Sequence, residues 1–212
     1  MDCCQCRGIE TEFDQKQAAR KLETYRAHGP DLTTRILIDA LRAEGVEGLT
    51  LLDIGGGIGA IQHELLRYGA QSVTNVEAST ASIAAARAEH ERQGHAGRVD
   101  YRHGNFCDLA ADLSPADIVT LDRVICCYHD MQALVSLSAA RVRKLYGIVY
   151  PRDTWWMRIA LAIANLSYWL QQSSFRTFLH PTAAVESLVR SHGLKQCFYR
   201  KTLKWQVVIY TR

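Results

Sequence analysis

Four glycines between residues 55 and 59 directly follow a short apolar run, and this feature constrains the fold more than any other. The run, residues 49–54, contains only Thr50 and Asp53 as polar positions. An apolar run of that length that stops at glycine is typical of a strand buried on both faces of a parallel sheet. Residues 58–68 then have the spacing of a helix. A strand that enters a helix through glycines predicts a tight turn whose backbone amides face a ligand.

The rest of the chain alternates between strand-like and helix-like segments. We predict parallel strands at 49–54, 72–76, 99–102, 117–121 and 145–150, with helices at 58–68, 80–92 and 131–143. Helices at 14–28 and 32–43 precede the sheet, and a helix at 181–191 leads into strands at 194–199 and 203–210. This alternation indicates an α/β fold. We expect a Rossmann-like, seven-stranded, mostly parallel sheet with a C-terminal antiparallel hairpin, helices on both faces and an N-terminal helical cap.

Composition and charge exclude several kinds of protein. A chain of 212 residues with 48% hydrophobic and 22% charged residues resembles an ordinary globular protein. The net charge of +3 predicts no nucleic-acid partner, because the basic residues form no dense stripe. Seven cysteines and a start without a signal-peptide pattern indicate reduced thiols, so we expect a cytoplasmic location.

Two classes of ligand compete for the glycine turn. Gly55, Gly57 and Ala60 match the dinucleotide fingerprint, which is a weak signal by itself. Asp53, however, lies two positions before the first glycine. A carboxylate there repels a pyrophosphate but suits the ammonium group of an amino acid. The fingerprint keeps an NAD-dependent oxidoreductase as an alternative, whereas Asp53 favours a ligand with an amino-acid group.

The pattern Asp-x-Gly-x-Gly-x-Gly, residues 53–59, resembles motif I of class I S-adenosylmethionine-dependent methyltransferases. Glu77 ends the next strand, where this family places the acid that accepts hydrogen bonds from the ribose hydroxyls. Asn105 follows the third strand, where the family contacts the adenine, and Asp122 ends the fourth, at the methyl-transfer site. S-adenosylmethionine is the cofactor that the resemblance implies. The implied cofactor-binding residues are Asp53, Gly55, Gly57, Glu77, Ala78, Asn105, Phe106 and Asp122.

The acceptor region is similar to that of magnesium-protoporphyrin IX methyltransferases. In that family a tyrosine on an N-terminal helix and a histidine after strand four are thought to serve the active site. Tyr25 matches the first, whereas Cys127 stands at the place of the histidine and is followed by Tyr128 and His129. The resemblance implies Tyr25 as a catalytic residue. We add Tyr128, because an aromatic residue directly after strand four commonly forms the substrate wall in this fold, and His129, because histidine suits a base at physiological pH. We expect methylation of a small, lipophilic molecule, at a carboxylate or hydroxyl oxygen.

The cysteines support an alternative acceptor. Cys3, Cys4 and Cys6 open the chain, and Cys126 and Cys127 lie at the predicted site. Thiolates suit soft ions, so a thiol or metalloid methyltransferase is a second possibility. Because no pair has zinc-finger spacing, we predict no resident metal. A further alternative is a cofactor-binding interaction module without activity.

We treat residues 1–212 as one methyltransferase domain with four parts. They are an N-terminal helical cap (1–46), a cofactor-binding core (47–150), an apolar lid segment (151–180) and a C-terminal helix with a β-hairpin (181–212). Within the lid, residues 155–170 are strongly apolar but too few for a membrane span. A helix apolar on all sides is expected to be buried on both faces. We therefore expect this segment to cover a hydrophobic acceptor, pack on the cap or contact a membrane surface. The oligomeric state is left open.

Overall fold

The structure is a computed structural model that describes residues 4–212, with side chains from Arg7 onward. The strands are β1 (Thr50–Ile54), β2 (Ser72–Glu77), β3 (Val99–His103), β4 (Ala116–Asp122), β5 (Val142–Pro151), β6 (Lys195–Lys201) and β7 (Trp205–Thr211). The helices are α1 (Cys4–Glu12), α2 (Gln15–His28), α3 (Leu32–Ala43), α4 (Ala60–Arg67), α5 (Thr80–Arg92), α6 (Phe106–Leu109), α7 (Met131–Ala140), α8 (Trp155–Leu170) and α9 (Thr182–Ser191). Short 3₁₀ turns occupy Ala96–Arg98, Ala110–Asp112 and Ile125–Cys127.

The described strands form one sheet in the order β3-β2-β1-β4-β5-β7-β6. Strands β1 to β5 pair in parallel, and β7 lies antiparallel between β5 and β6. The predicted fold class is confirmed. The chain builds outward from β1 to β3 and then crosses to β4 on the other side of β1. In sheets of this kind, ligands bind beyond the carboxyl ends of the strands at that reversal point.

Two apolar layers fix the sheet. On one face α3 and α4 bury Leu37, Leu41 and Leu65 against residues of the central strands. On the other face α7 and α9 bury Leu134 and Val185. Side-chain caps hold the starts of some of these helices. At the start of α7, for example, the Asp130 carboxylate accepts a hydrogen bond from the backbone N–H of Ala133.

Several elements differ from the sequence-based expectation, among them α6, which was not predicted, and β5, which begins at Val142 and not at 145. The helix predicted for 131–143 ends at Ala140, because Val142 already pairs with Ala116 in the sheet. Helix α1 was not anticipated. Helix α8 spans the predicted residues, but within the protein only its residue Met157 is buried, so the described chain does not cover both of its faces. Among the helices of residues 4–212, none combines the length and apolarity needed to cross a membrane.

Candidate active site

The glycine turn between β1 and α4 depends on the absence of side chains. Gly55, Gly57 and Gly59 have φ values of +66°, +56° and +80°, which favour glycine. A Cβ atom on Gly56 would lie 2.6 Å from Asp53 Oδ2 and would also collide with the Gln62 amide. The turn therefore requires glycine for two reasons. Gly55, Gly57 and Gly59 adopt backbone angles that favour glycine, and Gly56 lies too close to buried polar groups for a side chain.

Asp53 lies at the centre of the sheet edge, beneath this turn. The register places it beside Thr120 of β4, whose hydroxyl donates to Oδ1 at 2.6 Å. The Gln62 amide donates to Oδ2 at 2.8 Å. Burial raises the pKa of Asp53 to about 7, and the carboxylates of Asp122 and Glu77 add to the rise. Near neutral pH this carboxyl group is therefore poised between its two protonation states.

Glu77 ends β2 and faces the same turn. Its carboxylate accepts hydrogen bonds from the backbone N–H groups of Gly57, at 2.8 Å, and of Ser79, at 2.9 Å. Burial raises the pKa of Glu77, while these amides and the nearby Lys21 ammonium oppose the rise. The carboxylate is thus held in one orientation by the backbone of the loop after its own strand and by the glycine turn.

The loop after β3 supplies the next predicted residues. Asn105 caps α6, and its side-chain oxygen accepts a hydrogen bond from the Cys107 N–H at 3.3 Å. Phe106 is buried in the core beside this loop. Ala78, Asn105 and Phe106 all line one cavity together with Glu77. The structure therefore brings the predicted residues of the second and third strand ends together.

Asp122 ends β4 and belongs to a polar cluster that links the sheet to α3. The Thr34 hydroxyl donates to Asp122 Oδ2 at 2.5 Å, and the Arg123 guanidinium lies 3.1 Å from Oδ1. Arg123 also pairs with Asp31 at 2.5 Å. Arg123 adopts a left-handed φ of +62°, which a residue with a side chain seldom does. These partners hold the strained residue in place, as is common at functional sites.

A cavity of about 590 Å³ joins these groups at the carboxyl edge of the sheet. All eight predicted cofactor-binding residues line it. Its wall also includes residues that sequence reasoning missed or did not assign to the site. These are Ile9 and Phe13 near α1, Lys21 and Thr24 on α2, Thr34 on α3, Thr177 in the loop after α8, and Trp205 on β7. No local motif marks them, because distant parts of the chain bring them to the site.

Helix α1 and the residue after it close one side of the cavity. The Ser79 hydroxyl donates to the Phe13 carbonyl at 2.7 Å, and the Thr80 N–H donates to the Glu10 carboxylate at 3.0 Å. The Lys21 Nζ lies 4.4 Å from the centroid of the Phe13 ring. Burial and the Arg123 guanidinium lower the pKa of Lys21, although the nearby carboxylates raise it. The cap therefore contributes both a wall and a cation.

The predicted catalytic residues occupy three different environments. Tyr25 lines the cavity, but its hydroxyl donates to the Glu64 carboxylate of α4 at 2.9 Å. Burial and Glu64 raise the pKa of Tyr25, so it remains a hydrogen-bond donor. Tyr128 is half-buried and lines the cavity. His129 is exposed, stacks on the Tyr128 ring and is not among the described residues that line the cavity.

Of the cysteines considered for the site, only Cys126 and Cys127 have described side chains. Cys3 lies outside the described residues, and the side chains of Cys4 and Cys6 are not described. Cys126 and Cys127 line the cavity with their sulfur atoms 3.9 Å apart. Their mutual hydrogen bond raises the pKa of Cys126 and lowers that of Cys127. Within the described part of the chain, no three or more His, Cys, Asp or Glu side chains form a group suited to a metal ion.

The sheet order and the cavity at its reversal point are those of the class I methyltransferase fold, as the sequence resemblance predicted. The family comparison agrees, since residues 52–150, just under half of the chain, match the methyltransferase domain family.

Curated relatives share the same region. The ubiquinone biosynthesis O-methyltransferase of Bradyrhizobium sp. (strain ORS 278) is 35% identical over 131 residues, which cover 59% of this chain and 49% of the relative. That of Rhodopseudomonas palustris (strain TIE-1) is 31% identical over 154 residues, covering 68% of this chain and 58% of the relative. The chain thus spans about half the length of the curated relatives it matches.

Solved structures show the same fold across nearly the whole chain. Magnesium protoporphyrin IX methyltransferase from Synechocystis PCC 6803, with bound SAH, superposes with a TM-score of 0.76 at 16% identity. That alignment covers 98% of this chain and 99% of the other. An O-methyltransferase family protein from Burkholderia thailandensis gives a TM-score of 0.70 at 20% identity, covering 96% of this chain and 62% of the other.

Proposed function

We propose that this protein binds S-adenosylmethionine at the carboxyl ends of β1, β2 and β3 and methylates an oxygen atom of a lipophilic small molecule. One observation carries the proposal: a single cavity is lined both by carboxylates at the strand ends and by apolar and aromatic side chains. We assign the first set, the carboxylate-rich end, to the cofactor and the second set, the acceptor end, to the acceptor. Such a cavity suits a polar, positively charged methyl donor beside an apolar acceptor.

The charges at the strand ends fit this cofactor. Asp53, Glu77 and Asp122 lie at the ends of three neighbouring strands, and the negative charges of Glu77 and Asp122 each raise the pKa of Asp53. S-adenosylmethionine carries a sulfonium and an ammonium group against one carboxylate, so its net charge is positive. A cationic ligand relieves the repulsion between neighbouring carboxylates, whereas a pyrophosphate increases it. This argument favours the methyl donor over NAD.

Each predicted residue then has a distinct task. Glu77, fixed by two backbone amides, accepts hydrogen bonds from the ribose hydroxyls. Asn105 and Phe106 surround the adenine, while the glycine turn and Asp53 hold the amino-acid end. When bound, S-adenosylmethionine supplies an electrophilic methyl group. The protein's task is then to align the acceptor oxygen with that group and to exclude water.

The acceptor end is apolar and aromatic. Phe13, Val124, Tyr128 and Trp205 line it, together with the thiols of Cys126 and Cys127. The names of the relatives, ubiquinone biosynthesis O-methyltransferases, favour an oxygen acceptor on a ring with an apolar tail. The likeness to magnesium protoporphyrin IX methyltransferase favours a carboxylate of a large apolar ring system. Both acceptors are lipophilic, and Tyr128 is the side chain that we assign to contact them.

The need for a base depends on the acceptor. A carboxylate is already ionised at neutral pH and needs no base. A phenol must lose its proton as the oxygen–methyl bond forms. No histidine lines the cavity within the described residues, but Asp122 and Lys21 do line it, and the pKa of Lys21 is lowered. We assign proton removal from a phenol to this pair and give His129, which is exposed, no part in it.

The compartment also follows from the thiols. Within the described part of the chain, Cys107, Cys126 and Cys197 form no disulfide. Reduced thiols are typical of cytosolic proteins. This supports the cytoplasmic location that we propose for the protein.

The test measures release of S-adenosylhomocysteine from purified protein given S-adenosylmethionine and one of two acceptors. The acceptors are a catechol with a prenyl tail and magnesium protoporphyrin IX. We expect turnover with one of them, and loss of turnover in Glu77→Gln. Binding of NADH without binding of S-adenosylmethionine overturns the proposal. Cofactor binding without turnover on any oxygen, thiol or trivalent arsenic acceptor overturns the enzymatic part and favours a binding module.

A further inference from the structure

Helix α8 presents a large apolar surface that the described protein does not cover. Trp155, Ile163, Trp169 and Leu170 are each between 63% and 74% exposed. Met157 is the one residue of α8 that is fully buried. Apolar exposure on this scale, concentrated on one helix, marks an interaction site rather than ordinary surface.

The exposed residues form one uninterrupted face. With about 100° per residue in an α-helix, seven apolar residues fall within an arc of about 120° that contains no polar residue. These residues are Trp155, Ile159, Ala162, Ile163, Leu166, Trp169 and Leu170. The opposite side of the helix holds Met157 and Tyr168, which face the protein. The helix is therefore docked by one side and apolar on the other.

Specific contacts hold α8 in this orientation. The Asn165 side chain bonds to the backbone of Thr177, donating to its carbonyl and accepting from its N–H, both at 2.8 Å. Tyr168 packs edge-on against Phe175 at 5.1 Å between ring centroids. Because Asn165 and Tyr168 hold the helix against the following loop, the orientation of α8 is fixed and its apolar face points away from the protein.

The segment that contains α8 carries basic but no acidic residues. Residues 154–185 contain no Asp or Glu, but they contain Arg158 and Arg176. The acids that contact α8 come from outside this segment: Asp153 pairs with Arg158 at 2.9 Å, and the Glu12 side chain bonds to Tyr168 on the docked side of the helix. The Arg158 side chain, 68% exposed, lies at the edge of the apolar face, where a cation suits an anionic surface.

The dimensions favour a helix that lies flat on a bilayer. Sixteen residues span about 24 Å, which is less than the hydrocarbon core of about 30 Å. Trp155 and Trp169 lie near its two ends, and tryptophan prefers the boundary between headgroups and acyl chains. Both ends of α8 are therefore suited to the same depth in the bilayer, at the boundary between headgroups and acyl chains.

We infer that α8 is an interfacial helix that binds the surface of an anionic lipid bilayer through this apolar face. The loop that follows it reaches the cavity: the Phe178 N–H donates to the Cys126 carbonyl at 2.7 Å, and Thr177 lines the cavity wall. A lipophilic acceptor can pass from the bilayer to the cavity along this loop. That last step rests on the proposed function, whereas lipid binding does not.

The experiment measures the fraction of full-chain protein that sediments with vesicles. One set of vesicles is phosphatidylcholine alone, and the other contains phosphatidylglycerol as well. The test variant is Ile159→Glu with Ile163→Glu, which alters only exposed positions. The control is Leu203→Glu, because Leu203 is 73% exposed in the turn between β6 and β7. Circular dichroism checks that both variants are folded.

We expect binding to the anionic vesicles with a blue shift of tryptophan fluorescence. The double variant should bind at least tenfold more weakly, and the control variant should bind like the wild type. Absence of binding to anionic vesicles, or equal binding by the double variant, overturns the inference. Self-association that the double variant abolishes, without lipid binding, also overturns it and assigns the face to a second copy of the chain. Methyl transfer measured in detergent without vesicles tests the proposed function separately.

Discussion

The two ends of the cavity are built in different ways. The carboxylate-rich end comes from short segments at the carboxyl ends of strands, namely residues 53–57, 77–78, 104–106 and Asp122. The acceptor end is assembled from α1, α2, the turn after β4, the loop after α8 and strand β7. Parallel pairing alone brings the first set to one edge. The second set meets only because separate elements pack over that edge.

This difference separates the energetics of the two ends. In the first, we expect fixed backbone amides and buried carboxylates to determine which ligand binds. In the second, we expect apolar surface and shape to determine which acceptor binds, because the aromatic side chains of Phe13, Tyr128 and Trp205 line the cavity. Substitutions in the first end should therefore change cofactor affinity, and substitutions in the second should change only the acceptor parameters.

The largest effect is expected for Glu77→Gln. This change removes the negative charge that we propose as the acceptor of two hydrogen bonds from the ribose. A hydrogen bond to a charged group is worth about 1.5–3 kcal/mol. Loss of two such bonds corresponds to a fall in S-adenosylmethionine affinity of about a hundredfold to about ten-thousandfold. Isothermal titration calorimetry measures it. An unchanged Kd would show that the carboxylate-rich end does not hold the cofactor.

The second prediction compares two glycines. Gly56→Ala places a methyl group against Asp53 and Gln62, so we expect a loss of about 2 kcal/mol of unfolding free energy and weaker cofactor binding. Gly94→Ala is the control, because Gly94 also lies in a turn, with φ +76° and nothing within 4 Å of a Cβ. It should cost about 1 kcal/mol through its backbone alone. Urea denaturation measures both, and equal losses would contradict the steric account.

In the acceptor end, Tyr128→Ala should raise the KM for the acceptor about tenfold, because the acceptor loses part of its apolar contact with the protein. The Kd for S-adenosylmethionine should stay within twofold of the wild type. Steady-state kinetics and calorimetry on the same preparation give both values. A parallel rise of both constants would show that the two ends are not independent.

The pH dependence of cofactor binding tests Asp53. Because the pKa of Asp53 is about 7, its carboxyl group gains negative charge between pH 6 and pH 8. Affinity for the cationic cofactor should therefore rise several-fold over this interval. The Asp53→Asn variant should lack that rise. A wild-type affinity that falls with pH would show that the amino-acid end of the cofactor lies elsewhere.

The smallest effect is expected for Tyr25→Phe. Its hydroxyl joins α2 to α4 through Glu64, so the loss should be about 1 kcal/mol of unfolding free energy. We expect kcat to change less than tenfold, as for a residue that positions the cap. A larger fall in kcat with unchanged thermal stability would instead support the catalytic role that the sequence predicted for Tyr25.

Much of the fold and of the carboxylate-rich end was predictable because the information is local. Buried parallel strands are apolar runs, and their carboxyl ends must share one edge, so Asp53, Glu77 and Asn105 could be placed together from their positions alone. The strand predicted at 72–76 and the helix at 80–92 agree with β2 and α5 to within one residue. Residues near the acceptor end carried no such signal: Lys21 and Trp205 are far apart in the chain, and neither belongs to a motif.

Helices α3 and α8 show what only the tertiary structure decided. The sequence predicted α3 from apolar residues that recur at helical spacing, and it marked residues 155–170 as an apolar segment compatible with a helix. It did not determine which is buried. Helix α3 buries seven of its residues against the sheet, whereas the more apolar α8 buries only Met157. Helix formation depends on neighbours three or four residues away, but burial depends on which surfaces the rest of the fold leaves to be covered. The same reason explains why the strand ends could be read from the sequence and the acceptor wall could not.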